Sequence, residues 1–227
     1  EAQPLAWVPP EHQSKGLFWW RAVLSAFLMR FTPEMEKSLD LDAKMDAMGL
    51  KGQPYIGVHV RRGDSCVKWK ALFGATGCLG VEQHMSHVRL MAHRYSVWKV
   101  FVATDDPSIL QQLQQGLPEL SVVGVSDFSA VLYEMERTKD EWTEDRLRKG
   151  ELDRSALLRA TLTDLMLLAR SRFLVAHFAS NLSRLAYSLA SAHWGGPIPF
   201  ISVDGAWCYH WQMCCEVDAE GRSHMCS

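Results

Sequence analysis

Five short apolar runs, each separated from the next by a helix-patterned or polar segment, do most to limit what this chain can fold into. They lie at residues 55–60 (YIGVHV), 97–103 (VWKVFVA), 120–125, 173–177 (FLVAH) and 198–203. A strand that is apolar on successive residues has both faces covered. Strands of that kind alternating with helices build a mainly parallel sheet with helices packed against it. The expected class is therefore α/β.

The helical segments are legible from spacing and punctuation. Residues 17–29 form a Trp-rich amphipathic stretch, and Thr32-Pro33 starts a second, charged helix running to about residue 48. After a linker at 49–54 and the first strand, helices are expected at 81–93 and from Asp106-Pro107 to about residue 116. Two more follow at 154–170, capped by Asp153, and at 181–193. Residues 126–150 read as irregular and contain most of the run ERTKDEWTEDRLRKGE, which is either solvated surface or a segment lying over a site.

Composition narrows the function. The 227 residues are 48% hydrophobic and 22% charged, a globular balance, and the formal net charge of −2 argues against a general nucleic-acid binder. Any polyanionic ligand must be met by a local cluster of cations. No apolar run reaches membrane-spanning length, and the chain opens at Glu1 without a signal pattern. It reads as a fragment or processed region, with any membrane anchor outside it. The six cysteines, Cys66, Cys78, Cys208, Cys214, Cys215 and Cys226, are even in number and locally clustered, which suits disulfides and a secretory compartment. They lack the CxxC or HxxxH spacing of a zinc site, and a reduced set is the remaining alternative.

Three expected strands end in polar residues, and in a parallel sheet their carboxyl ends share one rim, where ligands bind. The first ends in Arg61, Arg62 and Asp64, the second in Thr104, Asp105 and Asp106, and the fourth in His177 to Asn181. Paired arginines either salt-bridge to nearby acids or clamp a diphosphate, whose oxygens accept the parallel hydrogen bonds of a guanidinium. The Arg62-Gly63-Asp64 adhesion tripeptide ends a core strand rather than tipping a loop, which argues against that use. Asp105 and Asp106 resemble an acidic metal motif, although Asp106 before Pro107 already serves as a helix cap. Ser180-Asn181 opens a helix whose free N–H groups suit a phosphate. Asn181-Leu182-Ser183 is also a glycosylation sequon, expected to be unmodified if it lies on the ligand rim. Asp164 shares a helix face with Leu157, Ala160, Leu167 and Leu168. A carboxylate there needs a donor, either Arg159 or Arg184, or a bound base with amide-like N–H groups such as guanine.

The segments IGVHVRRGD, VFVATDDPSIL and LRATLTDLMLLARSRFLVAHFASNLSRLAYSLA resemble three successive motifs of the α1,6-fucosyltransferases, the family of the N-glycan core fucosyltransferase and the nodulation fucosyltransferase. The resemblance runs from Phe18 to Gly205. It implies a GT-B-like glycosyltransferase with a Rossmann-like domain that binds GDP-fucose without a metal or other cofactor. Residues 55–205 would be that domain, 1–54 a helical part of the catalytic region, and 206–227 a cysteine-rich tail.

By position, Arg61 matches the arginine facing the β-phosphate, with Arg62 beside it, and His59 and Asp164 match residues at the guanosine end. Ser180 and Asn181 match the helix start that holds the diphosphate, and Asp105 and Asp106 a pair required for activity. The activity implied is inverting transfer of fucose to a hydroxyl of a glycan or glycoprotein in the secretory pathway, in the Golgi lumen. Departures are specific: Gly63 and Ser65 stand where the family has Thr and Lys, and Trp69 stands near its proposed basic glutamate. Asp140, Glu141 and Glu144 are then the candidate bases. A protein O-fucosyltransferase, a transferase for another nucleotide sugar, and a non-catalytic glycan-binding descendant are the alternatives.

Overall fold

The computed structural model describes residues 8–62, 80–125 and 141–204, with the backbone of a small antiparallel pair, Glu216–Val217 and Ser223–His224. Asp64, Gly63, Ser65, Trp69, Asp140 and all six cysteines lie outside the described residues.

Five strands form one sheet: β1 (Ile56–Val60), β2 (Lys99–Thr104), β3 (Ser121–Val123), β4 (Phe173–Ala176) and β5 (Phe200–Ser202). Their order is β3-β2-β1-β4-β5, and every neighbouring pair is parallel. This is the Rossmann-like arrangement, with the chain reversing direction of travel between β1 and β4. The α/β, mainly parallel expectation holds.

Strand parity sorts the core into two layers. Val58, Val100, Val102 and Val175 face one side, against Val88 and Met91 of α4 (Val81–Tyr95) and Leu113 of α5 (Pro107–Gly116). Phe101, Ala103, Leu174 and Ala176 face the other, against α7 (Arg154–Arg170) and α8 (Asn181–His193). On β1 the second face carries only Gly57 and His59. A Cβ on Gly57 would stand 2.8 Å from Ser171 Oγ and 3.1 Å from Leu168 Cδ2, so glycine lets the end of α7 close on the strand. Helix α1 (Gly16–Leu28) lies along α8, and Phe18 stacks on Tyr187 with ring centroids 5.2 Å apart.

Two expectations need correction. The helix expected at residues 32–48 is two short ones, α2 (Pro33–Leu39) and α3 (Leu41–Ala47). Asp40 between them is left-handed, at φ 44° and ψ 51°. That kink, at a residue type that tolerates it, turns both Leu39 and Leu41 into the core. Within the stretch read as irregular, residues 143–149 form α6 (Thr143–Lys149), closed by the left-handed Gly150. Its one buried residue is Arg146, so no apolar periodicity announced it.

Candidate active site

A cavity of about 300 Å³ opens beyond the carboxyl ends of β1 and β2, on the α7–α8 side. His59, Arg61, Asp105, Glu144, Asp164 and Ser180 all line it. Residues from β1, β2, α6, α7 and the start of α8 thus converge, and the rim expected from strand ends exists.

Arg61 follows the last residue of β1 and pairs with the carboxylate of Asp105, which follows β2. The other Asp105 oxygen accepts the Arg62 backbone N–H at 2.7 Å. One carboxylate therefore ties the ends of two strands together and holds the guanidinium at the cavity wall, with 29% of the arginine side chain still accessible. Asp106 does something different: it caps α5, accepting from Ser108 N at 2.9 Å and Ser108 Oγ at 2.6 Å. Both acids are thus engaged within the protein. Among the described residues no group of three or more His, Cys, Asp or Glu side chains is placed to hold a metal ion. Arg62 and Asn181 lie beside the cavity rather than on its lining.

His59 projects from β1 towards α8, and its Nδ1 lies 2.7 Å from Ser183 Oγ. Burial, reinforced by neighbouring His177, Arg61 and His84, pushes this imidazole down to about 3, so it is neutral at physiological pH. Ser183 is fully buried. Asn181, the acceptor of the sequon, is exposed.

Ser180 occupies the N-cap position of α8, yet its hydroxyl makes no capping bond, and it faces the cavity. The preceding loop is held by Asp204, at the end of β5. Its two carboxylate oxygens accept the N–H groups of Phe178 and Ala179, each at 2.8 Å, and Oδ1 also accepts from Ser202 Oγ at 3.1 Å. The next N–H groups, in the first turn of α8, keep the polarity that favours an anion. The sequence reading missed Asp204, although an acid just past the fifth strand, on the same rim, was a usable signal.

Asp164 meets neither of its expected arginine partners. Arg184 Nε donates to Phe178 O, and among the described residues no donor reaches the Asp164 carboxylate. Burial pushes that carboxyl up to about 8. It is half-buried, with its open side on the cavity between Leu157, Ala160 and Thr161. Of the candidate bases, Glu141 is bound to Lys149, whereas Glu144 is exposed and lines the cavity.

An α/β fold with its polar groups gathered at the β1–β4 switch point is the class of a nucleotide-binding domain. The model of the α-(1,6)-fucosyltransferase N- and catalytic domains matches residues 10–196, and the chain belongs to that family. The α-(1,6)-fucosyltransferase of Drosophila melanogaster is 24% identical over 179 residues, covering 76% of this chain and 25% of the relative. That of Caenorhabditis elegans is 23% identical over 171 residues, covering 72% and 26%. The chain thus spans about a quarter of the length of these curated relatives. Among solved structures, POFUT1 in complex with GDP is similar with a TM-score of 0.52 and 13% identity, over 86% of this chain and 53% of that one. NodZ α-1,6-fucosyltransferase soaked with GDP-fucose gives 0.39 and 23%, over 70% and 43%. At such identities the POFUT1 likeness carries the fold alone: a Rossmann-like domain of GT-B type.

Proposed function

We propose that this chain carries the donor-binding part of an inverting fucosyltransferase, moving fucose from GDP-fucose to a glycan hydroxyl without a metal. The observation that carries the reading is the joint placement of Arg61, His59, Asp164 and Ser180 on one cavity at the β1–β4 switch point. The arginine and the first turn of α8 offer positive charge and N–H groups to a diphosphate, in place of a divalent cation. Asp164 offers a carboxylate to the N–H edge of guanine. Arg61 then stabilises the negative charge that grows on the β-phosphate as the sugar–phosphate bond breaks. The setting proposed is the lumen of the secretory pathway, where the six cysteines would pair.

Calorimetric titration of GDP in the presence of chelator, with UDP and ADP as controls, tests the donor class. Selective, chelator-insensitive binding of GDP is expected. A folded chain that ignores GDP would leave the family fold without its donor site and favour a glycan-binding descendant.

With Trp69 near the family's glutamate position, Glu144 takes the role of general base in this reading, since among the described acids of the run it is the one that the cavity reaches. Positioned general bases contribute roughly 10²–10⁴-fold. Glu144→Gln is therefore expected to lower turnover by about 10²-fold, remove the acid limb of the kcat–pH profile, and leave GDP affinity near wild type. An unaltered pH profile in that variant would reassign the base.

A further inference from the structure

The buried contact between His59 and Ser183 fixes more than a distance, because hydrogen counting decides which atom donates. Nδ1 and Oγ lie 2.7 Å apart, with Ser183 fully buried and His59 4% exposed. A neutral imidazole has one N–H and one bare nitrogen. Either Nδ1–H donates to the serine oxygen, or the serine hydroxyl donates to a bare Nδ1.

Helical serines and threonines often dispose of the hydroxyl hydrogen on the carbonyl four residues back. Thr161 does so to Leu157 O at 2.9 Å and Ser188 to Arg184 O at 3.0 Å. Ser183 does not: among the described residues His59 is its one hydrogen-bond partner. Were Nδ1–H the donor, the hydroxyl hydrogen would be buried with no acceptor, and an unmet buried donor is heavily penalised. Donation from the hydroxyl to Nδ1 satisfies both groups. The proton then sits on Nε2, the ring nitrogen left for a ligand in the cavity that His59 lines.

The geometry points to Ser183 as a positioning residue that donates to His59 Nδ1 and holds the ring as its Nε2–H tautomer, a neutral donor for an acceptor oxygen of the bound nucleotide. The ligand half of this inference rests on the nucleotide-sugar reading above. It fits the Arg61–Ser180 side of the wall, away from the acids Glu144 and Asp164 that also line the cavity. Arg61, the Ser180 hydroxyl and the first turn of α8 are donors as well, so an oxygen-rich anion meets donors from the end of β1 and the start of α8. A bare Nε2 at the same place would turn a lone pair towards the acceptor oxygen.

Long-range proton–nitrogen correlation on 15N-histidine-labelled protein reads the tautomer directly, with His59 assigned by loss of its signals in His59→Gln. The expected wild-type pattern is a pyridine-like Nδ1 and a pyrrole-like Nε2. In Ser183→Ala the ring is expected to become a tautomer mixture and GDP affinity to fall about tenfold. Ser183→Thr, which keeps the hydroxyl, should recover the pattern. A pyrrole-like Nδ1 in the wild type overturns the proposal, as does a Ser183→Ala protein with unchanged tautomer and affinity. A wild-type chain with the Nε2–H ring that binds no GDP overturns the nucleotide-sugar reading instead.

Discussion

Arg61→Ala is expected to lower fucose transfer by ~10²–10³-fold while the protein stays folded. The loss follows from where charge develops. In the proposed transfer the bond from fucose to the β-phosphate breaks with oxocarbenium character, the diphosphate gains a full negative charge, and a donor already fixed at that spot needs no reorganisation to meet it. Asp105 supplies the fixing: it holds the guanidinium from one side and the Arg62 N–H from the other, so the arginine is aimed before any ligand arrives. Folding is expected to survive because 29% of the arginine side chain is already accessible, so its truncation opens no buried cavity. Asp105 also keeps the Arg62 N–H when Arg61 is gone. Arg61→Lys retains the charge but loses the paired geometry of the fork, and should fall between wild type and alanine. Transfer rates at saturating donor, beside thermal unfolding of the same samples, make the check. Normal turnover in Arg61→Ala would end the leaving-group role.

The same residues show which parts of this molecule a sequence reader can reach. The strands were legible because central parallel strands are apolar on successive residues, as in Val100, Phe101, Val102 and Ala103. The candidate site's location was legible because parallel strands put their carboxyl ends on one rim, and polar residues cluster after three of them. The break at Asp40 was not, since it turns on a left-handed backbone that aspartate adopts without any pattern around it. Helix α6 was hidden because its buried face carries an arginine. The His59–Ser183 bond joins residues 124 apart, and no local spacing encodes it. Periodicity did place Asp164 on an apolar face. Whether a cation met it depended on the final packing of α7 against α8, where Arg184 turns to the Phe178 carbonyl instead.

That unmet carboxylate leads to the second large effect: Asp164→Asn is expected to stabilise the free protein above neutral pH while sharply weakening GDP binding. Burial raises the carboxyl from an ordinary unfolded value near 3.8 to about 8 in the folded chain. Between those values the folded state holds a proton that the unfolded state has lost, so stability falls as pH rises across that window and levels off above about 8. Asparagine has no proton to lose, and its advantage should therefore appear above pH 4 and be full at pH 8 and beyond. Allowing for the part of the side chain open to the cavity, the gain there is on the order of 1–3 kcal/mol.

Binding runs the other way. The N–H edge of a base needs the ionised carboxylate, so GDP binding at pH 7 should release close to one proton, and affinity should climb as pH approaches 8. Titrations in buffers of differing ionisation heat measure that release, and pH-dependent denaturation of both proteins measures the stability curve. Equal slopes for Asp164→Asn and wild type between pH 5 and 8 would show that the carboxyl titrates normally. A gain in stability joined to unaltered GDP affinity would instead place the base elsewhere in the cavity. The trade is physical rather than incidental: under the proposed reading, a carboxylate kept for the donor's base must stay unsatisfied until that ligand arrives, and the empty fold bears that cost.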